Sequence, residues 1–299
     1  MFRCLSWMIS IVIASPLALA SIASSHDYGK VQDELVRLAT VYPRNAALFE
    51  LGQNTQGEAI VGLAIGVGAV KNLIVATHHG NEYGSTEVAL GIATELAAHP
   101  IAGRTIFVIP VLNITGFERN RREETFDRSG STADPNRDYP GPCGTDGPYK
   151  LASTRALAEF VEREDIVSSV TLHTSGAMVL LPWGISTTDT ATEHEHEFTQ
   201  MGNMCAVASK YRVGNSTELL YPADGAFEDY AFWKLGIWSI LIELGHSMQP
   251  SESQLARLVT ENVPGLRKFM EEAPMTRAVN HDFRGRCDLR ALGLDLRNE

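Results

Sequence analysis

Asn72-Leu73-Ile74-Val75-Ala76 runs into Thr77-His78-His79-Gly80-Asn81-Glu82, and that into Ser85-Thr86-Glu87-Val88-Ala89-Leu90-Gly91-Ile92-Ala93. The first segment has the length and apolarity of a buried strand. The third reads as a helix opened by a hydroxyl cap at Ser85. A chain with this order folds as strand, tight turn and helix. In open α/β sheets, ligands bind in such turns, outside the carboxyl ends of the strands. His79 and Glu82 therefore stand where an imidazole and a carboxylate can close on one metal ion. Gly80 is expected to let the backbone turn tightly enough for both to converge.

Short motifs of this kind recur by chance. His194 and Glu197 repeat the spacing inside Glu193-His194-Glu195-His196-Glu197. No strand precedes that copy, and acidic residues favour a helix N-terminus. It is expected to be a solvated helix start. The first copy has to be judged by what the rest of the chain brings to it.

Helical spacing of Val31, Leu35, Leu38 and Ala39 predicts a helix over residues 28–41, ended by Tyr42-Pro43. Residues 48–52 and 59–65 read as the strands of a hairpin around Asn54-Thr55-Gln56-Gly57-Glu58. Further strands are expected over residues 105–112, 166–172, 178–182 and 238–244. Further helices are expected over 152–163, 193–211, 228–234 and 252–270, the last kinked at Pro264. Residues 114–150 are polar and rich in Gly and Pro, and so long a stretch without regular structure is usually functional. Strands alternating with helices make the class α/β, with a largely parallel sheet.

The 299 residues suit one large α/β domain or two small ones. Met1-Phe2-Arg3, a short apolar stretch and Ala18-Leu19-Ala20 read as a secretory signal over residues 1–20. That implies a secreted or periplasmic protein. A catalytic domain is expected over 26–274, and the weakly patterned residues 275–299 read as a C-terminal tail. No other stretch is apolar enough to span a bilayer, so no membrane association is expected after signal cleavage. Losing the signal removes one Arg and no acid, so the net charge of −11 becomes −12. Such a chain without basic runs is not expected to bind nucleic acid. Cys143, Cys205 and Cys287 then remain; three is odd, so at most one disulfide forms. None has metal-ligand spacing to another.

Four chemical groups fall at predicted strand ends: the His79/Glu82 turn, Asn113, His173 and Glu243. With His173 as third ligand, His79 and Glu82 complete a His₂Glu set that leaves a fourth zinc position open for water.

At this point the sequence resembles the zinc metallocarboxypeptidases with the carboxypeptidase A-type fold, over residues 28–272. Gly52-Gln53-Asn54-Thr55-Gln56-Gly57 resembles the family's early Gly-x-Ser-x-x-Gly hairpin. His79-Gly80-Asn81-Glu82 resembles its His-x-x-Glu motif, and Asp134-Pro135-Asn136-Arg137-Asp138-Tyr139-Pro140 its Asp-Leu-Asn-Arg-Asn-Phe-Pro. Thr171-Leu172-His173-Thr174-Ser175 and Leu181-Pro182-Trp183-Gly184 resemble its Leu-His-Ser and Tyr-Pro-Tyr-Gly segments. Tyr221-Pro222-Ala223-Asp224-Gly225 with Asp229-Tyr230 resembles its Tyr-x-x-x-Gly and Asp-Trp, and Ile240-Leu241-Ile242-Glu243-Leu244 the strand carrying its catalytic Glu.

The resemblance implies a three-layer α/β/α fold around a mixed, largely parallel sheet. It implies one zinc ion on His79, Glu82 and His173, and Glu243 as general base. It implies an oxyanion-stabilising Arg within Arg119-Asn120-Arg121-Arg122-Glu123, with Arg122 chosen ahead of Arg121. Asn136 and Arg137 would hold the terminal carboxylate of a peptide substrate with a free C-terminus, and Tyr221 would close over it. Glu228 falls at the position that floors the family's specificity pocket, where an acid suits a C-terminal Lys or Arg. Two departures stand out. Asn113-Ile114-Thr115-Gly116 replaces the family's Asn-Pro-Asp-Gly, and Gly176 follows Thr174-Ser175 where the family has Leu-His-Ser-Tyr. The missing Tyr is expected to open the subsite upstream of the cut. His-Gly-Asn-Glu and Glu243-Leu244-Gly245 also resemble the succinylglutamate desuccinylase and aspartoacylase group. An N-acyl amino acid deacylase and a cell-wall peptide amidase are therefore alternatives, and a non-catalytic binding relative is a third.

Overall fold

The computed structural model describes residues 21–127, 129–144 and 148–288. The predicted signal, residues 1–20, lies outside them, as do residues 289–299 of the expected tail.

The strands are β1 (Ala46–Gln53), β2 (Ala59–Ile65), β3 (Val70–Ala76), β4 (Arg104–Ile109), β5 (Glu124–Thr125), β6 (Thr132–Ala133), β7 (Ser168–His173), β8 (Met178–Leu181), β9 (Arg212–Asn215) and β10 (Trp238–Glu243). The helices are α1 (Tyr28–Val41), α2 (Tyr83–Ala98), α3 (Ile114–Glu118), α4 (Ala152–Arg163), α5 (Glu195–Ser209), α6 (Ser216–Leu219), α7 (Phe227–Leu235) and α8 (Glu252–Glu272). Eight strands form one sheet in the order β1-β2-β4-β3-β7-β10-β8-β9, and β5 pairs with β6. The run β4-β3-β7-β10 is parallel, with an antiparallel hairpin, β1–β2, at one side. The other side adds β8 antiparallel to β10 and β9 parallel to β8. This is a mixed α/β sheet with flanking helices.

The central strands are covered on both faces, and their buried polar residues pair with one another, as Asn72 with Ser168 and Ser169 with Ser239. Alternation along β4 separates the two helix layers. Phe107 meets Phe160 of α4 with ring centroids 5.0 Å apart. Arg104, three residues earlier and on the opposite face, donates to the carbonyl of Ala273 just past α8 at 2.6 Å. On that second face α8 packs against α5 so closely that a Cβ at Gly265 would lie 2.0 Å from the Cys205 carbonyl oxygen. Among the described residues no helix is long and apolar enough to cross a membrane.

Several expectations need correcting. Ser85 does not cap α2, which begins two residues earlier with Glu82 at the N-cap position. Its hydroxyl is inside the first turn, donating to the Glu82 carbonyl and accepting from the Thr77 amide. Residues 114–150 are not without structure: they hold α3, β5, β6 and a 3₁₀ turn, Pro135–Arg137. Residues 275–288 are not a free tail. Arg277 donates to the carbonyls of Val161 and Ile166, Trp238 donates to the Thr276 carbonyl, and Cys287 is disulfide-bonded to Cys143. Cys205 is free and buried.

Candidate active site

The turn after β3 is held from two sides. Thr77, at a φ of 59°, shares hydrogen bonds with Ser85, Thr86 and the Pro110 carbonyl. Asn113, at the start of α3, donates to the carbonyls of His78 and Arg122 and accepts from the Gly116 amide. Its role is to fasten α3 to the turn. Gly80 is required for a different reason from the one expected: a Cβ there would lie 2.0 Å from the Gly116 carbonyl carbon. The close approach of α3, rather than an unusual φ, excludes a side chain.

His79, Glu82 and His173 converge, all buried. His79 Nδ1 lies 2.7 Å from Glu82 Oε1, His173 Nδ1 lies 2.9 Å from Glu82 Oε2, and the two Nδ1 atoms are 3.1 Å apart. His79 Nε2 is 3.0 Å from Asp134 Oδ1. An N–H pointing at that carboxylate leaves Nδ1 as a lone pair, which is how metal-binding imidazoles are oriented. Lone pair and carboxylate would then face each other at hydrogen-bond distance, an arrangement that calls for a cation. Burial alone would lower the His79 pKa, but Glu82 and Asp134 outweigh it and raise it to about 9. Burial raises Glu82, and His79 and His173 together more than reverse that. Two imidazole nitrogens and a carboxylate, about 3 Å from one another, are a donor set and spacing that suit zinc, whose bonds to such ligands are about 2.0–2.2 Å.

Asp134 is the residue that sequence reasoning missed. It also accepts a two-point bond from Arg122, at 3.1 Å from Nε and 2.9 Å from Nη2. So anchored, Arg122 brings Nη1 to 3.1 Å from His79 Nδ1, whereas Arg121 is exposed. The signal for Asp134 was its place two residues before Asn136 in the Asp-Pro-Asn-Arg segment. His78 is no ligand; it bonds to the Tyr139 hydroxyl and stacks on His173.

Parallel pairing sets Glu243 beside His173 at the ends of β10 and β7. Burial, followed by the charge of Glu82, pushes the Glu243 pKa well above the usual carboxylate range. Its Oε2 has no hydrogen-bond partner among the described residues. Both groups line a narrow hollow with Asn136, Arg137, Tyr221 and Glu228. Leu180, Leu220 and Leu241 supply its apolar wall. Asn136 accepts from the Phe227 amide at 2.9 Å, and its side chain also bonds Glu228. Arg137 reaches the Tyr221 hydroxyl at 3.5 Å, with its guanidinium 5.7 Å from the centre of that ring. Glu228 is 5% exposed, and its Oε2 lacks a partner. Burial raises its pKa above the ordinary value.

Among the described residues, the second pair of histidines is engaged with other groups. His194 bonds the Val279 carbonyl at 2.6 Å, and His196 bonds Gln200 at 2.9 Å.

The family model described as zinc carboxypeptidase matches residues 31–265. The chain belongs to the zinc carboxypeptidase family. Human carboxypeptidase O is 31% identical over 157 residues, which cover 42% of this chain and 41% of that protein. The match thus spans about two fifths of that relative's length. Carboxypeptidase B of Astacus astacus is 24% identical over 262 residues, 74% of this chain and 86% of that one. Bovine thrombin-activatable fibrinolysis inhibitor, solved in complex with tick carboxypeptidase inhibitor, superposes with a TM-score of 0.75 at 17% identity. That superposition covers 83% of this chain and 97% of the other. The eight-stranded mixed sheet is therefore that of the carboxypeptidase fold.

Proposed function

We propose that this chain is a zinc-dependent carboxypeptidase that releases the C-terminal residue of a peptide and prefers a cationic side chain there. One observation carries the reading. The hollow lined by His79 and His173 also holds the guanidinium of Arg137 and a buried carboxylate oxygen of Glu228 that has no partner among the described residues.

In such a site a zinc ion supplies a more acidic water and a polarised substrate carbonyl. The side chains do the rest. Glu243, whose pKa burial raises well above the ordinary carboxylate range, takes the proton of the attacking water and returns it to the leaving amine. Arg122, held by Asp134, presents Nη1 beside His79 to the oxygen on which negative charge develops. Arg137 and Asn136 hold the terminal carboxylate, and Tyr221 shields it. Glu228 would bond a Lys or Arg side chain, which compensates a buried carboxylate that an apolar residue would leave unpaired. The disulfide Cys143–Cys287 fits an oxidising compartment, which supports secretion or export to a periplasm.

The test uses zinc-loaded protein and four matched peptides, ending in Arg or Leu, each as free acid and as amide. The free acid ending in Arg should be cut fastest, and the amides far more slowly. A charge-assisted hydrogen bond contributes roughly 1.5–3 kcal/mol, so Glu228→Gln should reduce the Arg/Leu ratio in kcat/KM about 10- to 100-fold. Equal rates on acid and amide would point to an amidase or endopeptidase. Release of a small acyl group without peptide cleavage would point to the deacylase. A preference for Leu, or a ratio unmoved by Glu228→Gln, would remove Glu228 from the pocket.

A further inference from the structure

A larger cleft is lined by Gly176, Ala177, Gly245 and His246, just past the ends of β7 and β10. Its volume is about 570 Å³, and it shares no lining residue with the hollow at the metal cluster. The two are nonetheless neighbours. Gly176 lines the cleft, and a Cβ on it would lie 3.0 Å from the Cβ of Glu243. The Gly176 amide donates to the Gly245 carbonyl at 2.8 Å, so the rim of the cleft is the continuation of the strands that carry His173 and Glu243.

The charge of the cleft opposes that of the molecule. The chain carries a net charge of −11, yet Lys210, Arg212, Arg257 and His246 all line this one cleft, against a single acid, Glu261. Glu261 is occupied by Arg257 at 2.6 Å. Among the described residues the Lys210 ammonium bonds only the Val207 carbonyl. The side chains of Arg212 and His246 have no hydrogen-bond or ion-pair partner among the described residues. Two full cations, Lys210 and Arg212, are therefore uncompensated at the mouth of a concave surface, where field lines concentrate and anions gather. The Ser209 hydroxyl also lines the cleft, buried and without a partner.

We propose that this cleft binds the acidic part of the substrate: carboxylate side chains of the residues on the N-terminal side of the cut. The inference rests on the carboxypeptidase reading for its direction. The released residue occupies the hollow by Glu228, so the rest of the chain leaves past Glu243 on the side of Gly176. A substrate with Glu or Asp just upstream of a cationic C-terminal residue then matches both sites by charge.

Zinc-loaded protein is given two blocked peptides with the same C-terminal Arg, preceded by Glu-Glu or by Gln-Gln. The acidic peptide should show a kcat/KM at least tenfold higher at low ionic strength. The advantage should shrink as salt shortens the screening length from about 30 Å at 0.01 M to about 8 Å at 0.15 M. In the Lys210→Gln/Arg212→Gln variant the ratio should fall to near one, with the Gln-Gln peptide cut as by wild type; both residues are exposed and outside the catalytic group. A wild-type ratio near one, or a ratio the variant leaves unchanged, overturns the proposal. If neither peptide is cut, the carboxypeptidase reading is what has failed, and direct titration still decides the cleft. A blocked peptide ending in Glu-Glu should bind wild type at least tenfold more tightly than the double variant, and equal affinity overturns the proposal.

Discussion

Half-buried Glu243 and fully buried Glu124 both have raised pKa values, and their surroundings assign them different work. Glu243 keeps an unpartnered oxygen beside the metal-ligand cluster, as a base needs. Glu243→Gln preserves shape, so zinc content measured by metal analysis should be unchanged. Its kcat should fall by about 10²–10⁴, the usual contribution of general acid–base catalysis. A variant within tenfold of wild type would mean that the proton goes elsewhere. Glu124 has no access to substrate. It is fully buried, accepts from the Ser153 hydroxyl, and is pushed by burial up to about 8. Its folded pKa therefore lies above the unfolded value of about 4.3. Between these values the folded state holds the proton more tightly, so stability falls as pH rises through this window. Glu124→Gln should flatten that decline by on the order of a few kcal/mol in denaturant titrations at pH 5 and pH 8. An identical slope in the variant would show that another group sets it. At this scale His79, Glu82 and His173, which the structure brings together, were legible because each ends or follows an apolar run. Asp134 was not singled out, because nothing in a sequence tells which carboxylate will face a given imidazole.

The metal turn is built by elements pressed together. α3 lies directly on Gly80, leaving no room for a methyl group. Gly80→Ala must move backbone against backbone, so the cost should exceed the roughly 1–3 kcal/mol typical of overpacking a core. Melting should drop by about 5–10 °C, since 1 kcal/mol is about 2–4 °C in a domain this large. Bound zinc per chain should fall with it. Wild-type melting and zinc content together would show that α3 yields easily. Long elements such as α1, α4 and α8 were legible in periodicity. β9, α6 and α3 were not, being four or five residues each and formed by pairing and capping rather than by a pattern of their own. The early strand, turn and helix were read correctly, but Ser85 was misassigned. A hydroxyl two residues inside a helix bonds backward into the loop, and only the observed start of α2 reveals that.

Over the whole molecule the C-terminal segment closes the fold. Cys143 and Cys287 are 144 residues apart in sequence. Linking so distant a pair removes unfolded-chain entropy worth about 5 kcal/mol in the loop-closure model, with about 2–4 kcal/mol typical of measurement. Cys143→Ser/Cys287→Ser should lose about 2–5 kcal/mol in a reversible unfolding titration. A variant unfolding at the same denaturant midpoint as wild type would mean the packed segment 275–288 holds without its bond. Three cysteines implied one bridge at most, but which two pair depends on where chain ends meet in space. The same division runs through the protein. Apolar runs, helical spacing and turn residues are local, and they determined the α/β class, the order of strands and helices, and the turn that carries His79 and Glu82. Sheet order, the docked C-terminal segment, the Asp134–Arg122 anchor and the cationic cleft join residues far apart in sequence. Those were decided by tertiary structure alone, because a contact between distant segments leaves no periodic trace in either of them.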